Sequence, residues 1–134
     1  MATTHLTYLS GYSGFAVPDL EVARGFYRDV LGLTVSDNPM GMLLLTLPGG
    51  AEVLVYLKAD HTPAVFTILN LGVADIDQAV DALAERGVTF LRYDGFGQDE
   101  RGIVRSADMP TGGWIADPAG NVIAVMQEHP ELPA

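Results

Sequence analysis

Two periodicities of hydrophobic residues alternate along the chain, and they predict its secondary structure. Residues 11–17 form a short apolar run that predicts a strand. The next apolar residues recur three and four positions apart, as on one face of a helix, and Asp19 and Gly32 are suited to cap its start and its end. Segments 42–47 and 52–57 flank a Pro-Gly-Gly turn and predict a hairpin. With two or three strands after the helix, this half of the chain has the order β-α-β-β-β.

The second half of the chain repeats this pattern. Residues 71–79 match residues 15–23 at Val, Asp and Ala, at an offset of 56 positions. Gly32 recurs at an offset of 55, and Pro48 and Gly50 of the first hairpin recur at an offset of 70. Three matches in the same order indicate an internal duplication. The second copy carries 15 extra residues between its helix and its last hairpin.

Length and composition narrow the class of protein. The duplication predicts a single α+β domain over residues 1–134, with repeats over about 9–58 and about 64–128. Seven Lys and Arg against 17 Asp and Glu give a net charge of −10, which disfavours nucleic acid and anionic membranes as partners because phosphate binding depends on basic residues. The absence of cysteine excludes disulfides, thiolate zinc sites and a cysteine nucleophile. No apolar run approaches the roughly 20 residues that span a bilayer, and the N-terminus lacks a secretion signal, so we expect a cytoplasmic protein.

Three motifs then resemble those of a known family. Val-x-Asp-Leu (17–20) opens a helix that carries Phe-Tyr-x-x-x-Leu-Gly-Leu (26–33), and the last hairpin turns on Asp-Pro-x-Gly-Asn (117–121). Over roughly residues 9–128 the chain resembles the vicinal oxygen chelate superfamily, which contains glyoxalase I, extradiol dioxygenases, fosfomycin-resistance enzymes and bleomycin-binding proteins. The resemblance implies eight strands in two curved mixed sheets around a cavity, with a homodimer completing the site. It specifies the fold better than the function, since one fold hosts many activities.

The family's metal ligands have no counterparts in this chain. In metal-dependent relatives, His, Glu or Gln occupies the first and the last strand of each repeat, and the corresponding positions here are Tyr12, Leu54, Ile68 and Ala124. Three of these residues have no donor atom, and a neutral phenol is a poor ligand. We therefore predict no metal and no cofactor. The histidines at 5, 61 and 129 are expected to be solvated or locally bonded, away from the cavity.

Strand alternation around those four positions predicts the lining of the cavity. The residues expected to face it are Tyr12, Gly14, Ala16, Glu52, Leu54, Tyr56, Phe66, Ile68, Asn70, Val122, Ala124 and Met126. The residues expected to pack under the helices are Phe15, Val17, Val53, Val55, Ile123 and Val125. This lining predicts an apolar, aromatic hollow with few polar groups, which suits a flat or apolar ligand. The alternative is that these side chains fill a closed core.

The 15-residue insertion adds further candidates in the Gly-rich stretch 94–113 and beside it. Phe96, Arg101 and Arg105 could close over a ligand, with the arginines offering a planar fork to a carboxylate or a ring. Alternatively, the arginines pair with Asp99, Glu100 or Asp108 on an exposed loop. The single tryptophan, Trp114, could serve in the core, in a dimer contact or in ligand stacking.

Two classes of function remain. The first is a metal-free, homodimeric binding protein for a small apolar or aromatic compound, with a role in resistance or sequestration. We expect its ligand to contact Tyr12, Glu52, Leu54, Tyr56, Ile68, Asn70, Phe96, Arg101, Trp114 and Ala124. The second is a lyase, isomerase or dioxygenase of the same superfamily that uses an atypical metal site or acid–base chemistry by Tyr12 and Glu52. A regulatory module with a vestigial cavity is a third reading, so whether the chain is an enzyme stays open.

Overall fold

The computed structural model describes residues 4–128. Within this range, seven strands, two α-helices and one π-helical turn follow each other along the chain. In chain order they are β1 (Ser13–Val17), α1 (Leu20–Gly25), the π turn (Phe26–Val30), β2 (Thr34–Asp37), β3 (Leu43–Thr46), β4 (Glu52–Leu57), β5 (Thr67–Val73), α2 (Ile76–Glu85), β6 (Gly112–Ala116) and β7 (Val122–Gln127). No helix in this range is long and apolar enough to cross a membrane.

The strands form two mixed sheets, as expected. The first sheet has the order β1-β4-β3-β2 and the second has the order β5-β7-β6. In each sheet the strand before the helix pairs in parallel with the last strand of its repeat, and the other pairs are antiparallel. The α+β architecture with two β-α-β repeats is therefore confirmed, and the sheets do not close into a barrel.

The register of the parallel strands confirms the duplication. Gly14 lies opposite Leu54 in the first sheet, and Asn70 lies opposite Ala124 in the second. These pairs are related by the offsets of 56 and 70 read from the sequence. The helix caps repeat too: Asp19 and Asp75 are both extended, and each carboxylate accepts hydrogen bonds from the two backbone N–H groups two and three positions later.

The expected eighth strand is not formed within residues 4–128. The segment 89–92, which corresponds to β2, makes one backbone hydrogen bond to β6, from Leu91 N to Trp114 O at 2.7 Å. The side chain of Gln98, in the insertion, takes up the neighbouring backbone groups, since its amide donates to Leu91 O and accepts from Tyr93 N. The insertion thus provides hydrogen bonds to backbone groups that would otherwise pair with a neighbouring strand.

The π turn marks a one-residue difference between the repeats. The stretch from Asp19 to Gly32 is one residue longer than the stretch from Asp75 to Gly87. In the first repeat, Leu31 N–H donates to Phe26 O at 3.0 Å, which is five residues back along the chain and not four. A π turn holds one more residue than an α turn, so it absorbs the extra residue while the helix still ends at a glycine with positive φ.

One cluster of buried apolar side chains draws on both repeats. The residues predicted to pack under the helices all belong to it: Phe15, Val17, Val53, Val55, Ile123 and Val125. Ile76, Val80 and Leu83 of α2 pack into the same cluster. The core therefore lies on the helix side of both sheets, and the opposite faces of the sheets are left to form a site.

Candidate functional site

The face of the second sheet opposite the core carries a row of side chains that includes the tryptophan. Asn70, Ala124 and Trp114 are direct neighbours across β5, β7 and β6. Neighbours in a register point to the same side of a sheet, and Ile115, next to Trp114, is buried in the core. Trp114 therefore lies on the open face of the second sheet. The sequence alone did not determine on which face it lies.

An aromatic hollow lies beside this row. The rings of Tyr93 and Trp114 meet edge to face with centroids 5.3 Å apart, and the ring of Phe96 lies 4.9 Å from Trp114 and 6.4 Å from Tyr93. These separations are within the range of favourable aromatic pairs. The space beside them has a volume of about 240 Å³. Its lining, which defines the aromatic hollow, is Val65, Phe66, Thr67, Tyr93, Phe96, Trp114 and Val122.

A second hollow lies between the open face of the first sheet and the segment that joins the repeats. We call it the linker hollow, and its volume is about 470 Å³. It is lined by Gly14, Phe15, Ala16, Tyr56, Lys58, Asp60, His61, Thr62, Ala64, Phe66, Ile68 and Asn121. Phe66 belongs to both hollows, so the two adjoin at this ring. Its side chain is 68 % exposed, which leaves most of the ring available for contact.

His61 is one of the lining residues that sequence analysis missed. It was expected to lie away from the cavity, and that expectation was wrong, because the linker turns back with a hydrogen bond from His61 N to Lys58 O at 3.1 Å. The linker also rests on the last hairpin, where a Cβ added to Gly120 would come within 3.0 Å of Pro63. No motif beside His61 in the sequence indicates this position, because the position depends on how the linker folds back. His129 lies outside the described residues.

The structure places only some of the predicted ligand contacts in the two hollows. Tyr56 and Ile68 line the linker hollow, and Phe96 and Trp114 line the aromatic hollow. Ala124 borders a smaller space of about 50 Å³ beside Trp114. The remaining five line neither of the two hollows: Tyr12, Glu52, Leu54, Asn70 and Arg101.

Tyr12 and Glu52, the candidates for acid–base chemistry, lie at one end of the first sheet. Tyr12 precedes β1 by one residue, and Glu52 is the first residue of β4. The Tyr12 side chain is 64 % exposed, and Glu52 is exposed as well. Among the hydrogen bonds of residues 4–128, none joins these two side chains. The arrangement therefore lacks the enclosed, coupled groups that favour proton transfer.

Arg101 and Arg105 bind to α2 and lie outside both hollows. Arg101 forms ion pairs with Asp77 and Asp81, and Arg105 lies 2.6 Å from Asp77 and 3.0 Å from Asp99. Burial of Asp99 opposes its ionisation, but hydrogen bonds from Ile103 N–H, Arg105 and Arg101 N–H outweigh this and lower the pKa of its carboxyl. Of the two readings of these arginines, the geometry favours pairing with carboxylates. Their partners include α2 as well as the loop, so they anchor the insertion.

The motifs that carried the family resemblance meet in the interior. The buried Tyr27 hydroxyl donates to Asp117 Oδ2 at 2.6 Å, and Asn121 Nδ2 donates to the same oxygen at 3.1 Å and to Ala16 O at 3.0 Å. Burial and the adjacent carboxylate raise the pKa of Tyr27 far above its usual range, so the phenol stays protonated. These residues tie the last hairpin to the first repeat and fix the wall of the linker hollow.

A family model matches the chain over residues 5–125, and it describes the glyoxalase/bleomycin resistance protein/dioxygenase superfamily. The chain belongs to this superfamily. No curated protein matches the sequence significantly.

Solved structures with the superfamily fold cover nearly the whole chain. A member of the superfamily from Sphaerobacter thermophilus DSM 20745 is 25% identical, with a TM-score of 0.67 over 90% of this chain and 98% of that one. TnmS3, an antibiotic binding protein from Streptomyces sp. CB03234, is 26% identical, with a TM-score of 0.64 over 91% of this chain and 98% of that one. A lactoylglutathione lyase from Agrobacterium tumefaciens is 20% identical, with a TM-score of 0.63 over 90% of this chain and 95% of that one, and at this identity it supports the fold alone.

The residues at the superfamily's metal-ligand positions do not fit a metal ion. Leu54 and Ala124 carry no donor atom, Ile68 adds an apolar wall to the linker hollow, and Tyr12 is a largely exposed phenol outside the strands. Within residues 4–128, no group of three or more His, Asp or Glu side chains is placed to hold a metal ion. Divalent ions need several oxygen, nitrogen or thiolate donors. We therefore derive no chemistry through a metal at this site.

Proposed function

We propose that this chain is a binding protein that holds a small apolar or aromatic compound without a metal ion or cofactor. The aromatic hollow carries this proposal. The rings of Tyr93, Phe96 and Trp114 pack against each other. The hollow stays partly in contact with water, as Phe96 is 38 % exposed and Phe66 is 68 % exposed. A concave, mostly apolar surface with a few polar groups is typical of small-molecule sites. A ligand that covers these rings removes apolar surface from water and gains about 25 cal/mol for each Å² that is buried.

Sequestration or resistance is the role that best suits such a site. Holding a compound requires affinity and no reacting groups, which agrees with the exposed positions of Tyr12 and Glu52 outside both hollows. The similarity to an antibiotic binding protein, TnmS3, supports the same role. The net charge of −10 favours a neutral or cationic compound over an anionic one. We place the protein in the cytoplasm.

We further propose that two copies of the chain associate as a homodimer. Large apolar side chains remain exposed on the open side of the first sheet and in the linker, among them Tyr56, Val65 and Phe66. Exposed apolar surface of this kind commonly marks an interface. Light scattering should give about twice the chain mass of 14.3 kDa. A single-chain mass at micromolar concentration would contradict the dimer.

The single tryptophan provides the direct test of binding, because Trp114 lies in the aromatic hollow. We expect proflavine, a planar cation, to quench its fluorescence saturably, and 9-anthracenecarboxylate, a planar anion of similar size, to bind more weakly. The variant Phe96→Ala should weaken the binding of proflavine, while Met40→Ala, a change at an exposed residue of the first repeat, should not. If neither compound quenches Trp114 saturably, the proposed function is wrong.

A further inference from the structure

We propose that Gln98 is a positioning residue for the aromatic hollow, which holds the rings of Tyr93 and Phe96 against the single tryptophan before a ligand binds. This inference rests on the proposed function, since it names the side chain that prepares that site for binding. Gln98 lies in the insertion, which only the second repeat carries. It does not line the hollow, so its effect on a ligand is exerted through the aromatic rings.

The first observation is the number of backbone groups that the Gln98 amide binds. Its Oε1 atom accepts from Tyr93 N at 2.7 Å, and its Nε2 atom donates to Leu91 O at 2.8 Å and to Gly102 O at 2.7 Å. The side chain is half-buried, which strengthens such bonds relative to fully exposed ones. One side chain thus holds together the two ends of the loop between residues 91 and 102.

The second observation is that both ends of this loop contact the strand that carries Trp114. Leu91 N donates to Trp114 O at 2.7 Å. The backbone at Gly102 packs against the preceding residue of β6, since a Cβ added to Gly113 would lie 2.9 Å from Gly102 O. Because Gln98 binds the carbonyl groups of Leu91 and Gly102, it fixes the loop beside the part of β6 that holds the tryptophan.

The third observation is the shape of the loop tip, where Phe96 lies. Gly95 and Gly97 have φ angles of 91° and 61°, so the chain turns through the left-handed region on either side of Phe96. Among the hydrogen bonds of residues 4–128, none involves residues 94–97. The tip therefore depends for its position on the contacts of its ring and on the loop base, which the bond from Tyr93 N to Gln98 Oε1 closes.

These contacts explain how Gln98 influences a ligand that it does not touch. A loop that is ordered only when the ligand binds loses conformational freedom at that step, and this cost reduces the affinity. With the bonds of Gln98 in place, Tyr93 and Phe96 already pack against Trp114. Without these bonds, the ligand itself would have to order both rings.

The experiment uses Gln98→Met, which removes the three hydrogen bonds and keeps a side chain of similar length. We expect its affinity for proflavine, measured by calorimetry, to be roughly two- to tenfold lower than that of the wild type. In the absence of proflavine, acrylamide should quench the fluorescence of Trp114 more strongly in this variant, because Tyr93 and Phe96 no longer cover the indole. Gln98→Asn, whose amide is one carbon shorter, should change both quantities in the same direction, and it takes the place of Gln98→Met if that variant does not fold.

Two further variants separate positioning from stability. Gln127→Met is the matched control, since Gln127 also binds a backbone N–H, that of Ile76 at 3.0 Å, and lies outside the lining of the hollow. It should lower stability in urea and leave the affinity and the acrylamide quenching unchanged. In a Phe96→Ala background, Gln98→Met should reduce the affinity less than it does in the wild type, because one of the rings that it positions is absent.

The outcomes distinguish the role of Gln98 from the proposed function. If the wild type binds proflavine and Gln98→Met changes neither the affinity nor the quenching, the positioning role is overturned and the binding function stands. The role is also overturned if Gln127→Met weakens binding equally, or if Gln98→Met has its full effect in the Phe96→Ala background. If proflavine does not bind the wild type, the binding function is overturned and the role of Gln98 in binding with it.

Discussion

The two repeats share a backbone and differ in what their side chains do. Both place a capping aspartate before the helix, both pair their first and last strands in parallel, and both close the last hairpin with the same two backbone hydrogen bonds. The second repeat alone carries the insertion, the aromatic hollow and the polar hairpin. Strand pairing and helix capping therefore preserve the duplicated fold. Contacts that only one repeat makes arise where its sequence differs from that of the other repeat.

The hairpins show this most directly. In the first repeat Leu47 N donates to Ala51 O at 2.8 Å, and in the second repeat Asp117 N donates to Asn121 O at 2.9 Å. The same turn therefore forms with apolar residues at its ends or with polar ones. The polar pair of the second repeat is therefore not needed for the turn itself. Its side chains bind Tyr27 and Ala16 of the first repeat instead. One hairpin supports its own sheet, and the other also joins the two repeats.

The largest effect on stability should come from Asp117→Ala, which breaks hydrogen bonds between the last hairpin and the first repeat. The change removes the acceptor of the buried Tyr27 hydroxyl and of the backbone N–H groups of Ala119 and Asn121. We expect the free energy of unfolding to fall by about 3 kcal/mol, because hydrogen bonds to a buried carboxylate are lost and donors are left unpaired. Urea denaturation measures this.

Tyr27→Phe is the matched control for that variant. Alone it should cost about 1 kcal/mol, because Asp117 keeps its other donors. In the double variant with Asp117→Ala, the total loss should be smaller than the sum of the two, since no hydroxyl is left unpaired. Additive losses would contradict a direct junction between the repeats.

A smaller effect on stability should follow from removing the hydrogen bonds that hold the insertion in place. Asp99 accepts hydrogen bonds from Arg101 N, Ile103 N and Arg105, and α2 holds the same arginines. The pKa of Asp99 is lowered in the folded state, so its contribution to stability is present above the unfolded value of about 3.9 and is lost as the pH falls through the folded value.

Asp99→Asn should therefore reduce stability at neutral pH by about 1 kcal/mol and flatten the acid side of the stability curve. Thermal unfolding between neutral and acidic pH measures both. Asp60→Asn is the control in the linker, on a fully exposed ion pair with Lys58, and should have less effect at neutral pH. Equal losses for the two variants would mean that the insertion is not anchored through Asp99.

The smallest effect on stability, and the most specific one on function, is expected from Phe96→Ala. Phe96 is partly exposed and packs against Trp114, so its removal should cost less than about 1 kcal/mol of stability. It should weaken proflavine binding about fivefold through the loss of one aromatic contact. Calorimetry checks the affinity, with Met40→Ala in the first repeat as the control. Unchanged affinity would place the ligand outside the aromatic hollow.

Local physics explains why much of the fold could be predicted from the sequence. Strand alternation assigned Phe15 and Ile123 correctly to the core, and the capping role of Asp19 depends only on its own turn. The sequence also contains a sign of the π turn. The offset between the repeats falls from 56 at Ala23 to 55 at Gly32, which places one extra residue in the first helix.

The site was harder to predict because it depends on long-range contacts. His61 reaches the linker hollow only because the linker folds back across the first sheet, and nothing in its neighbouring residues indicates this. Trp114 could be assigned to a face only once its register with Ala124 was known. The partners of Arg101 lie on α2, 20 or more residues away, so sequence proximity suggested only nearby acids. The missing eighth strand depends on Gln98 in the same way.

Calorimetric titration of the protein with proflavine, before and after exhaustive treatment with a chelator, tests the central claim most directly. We predict saturable binding of one molecule per chain, with the same affinity in both samples, because the site consists of aromatic rings and the metal-ligand positions hold Tyr12, Leu54, Ile68 and Ala124. Binding that disappears with the chelator and returns with zinc, iron, nickel or manganese would contradict a metal-free binding protein.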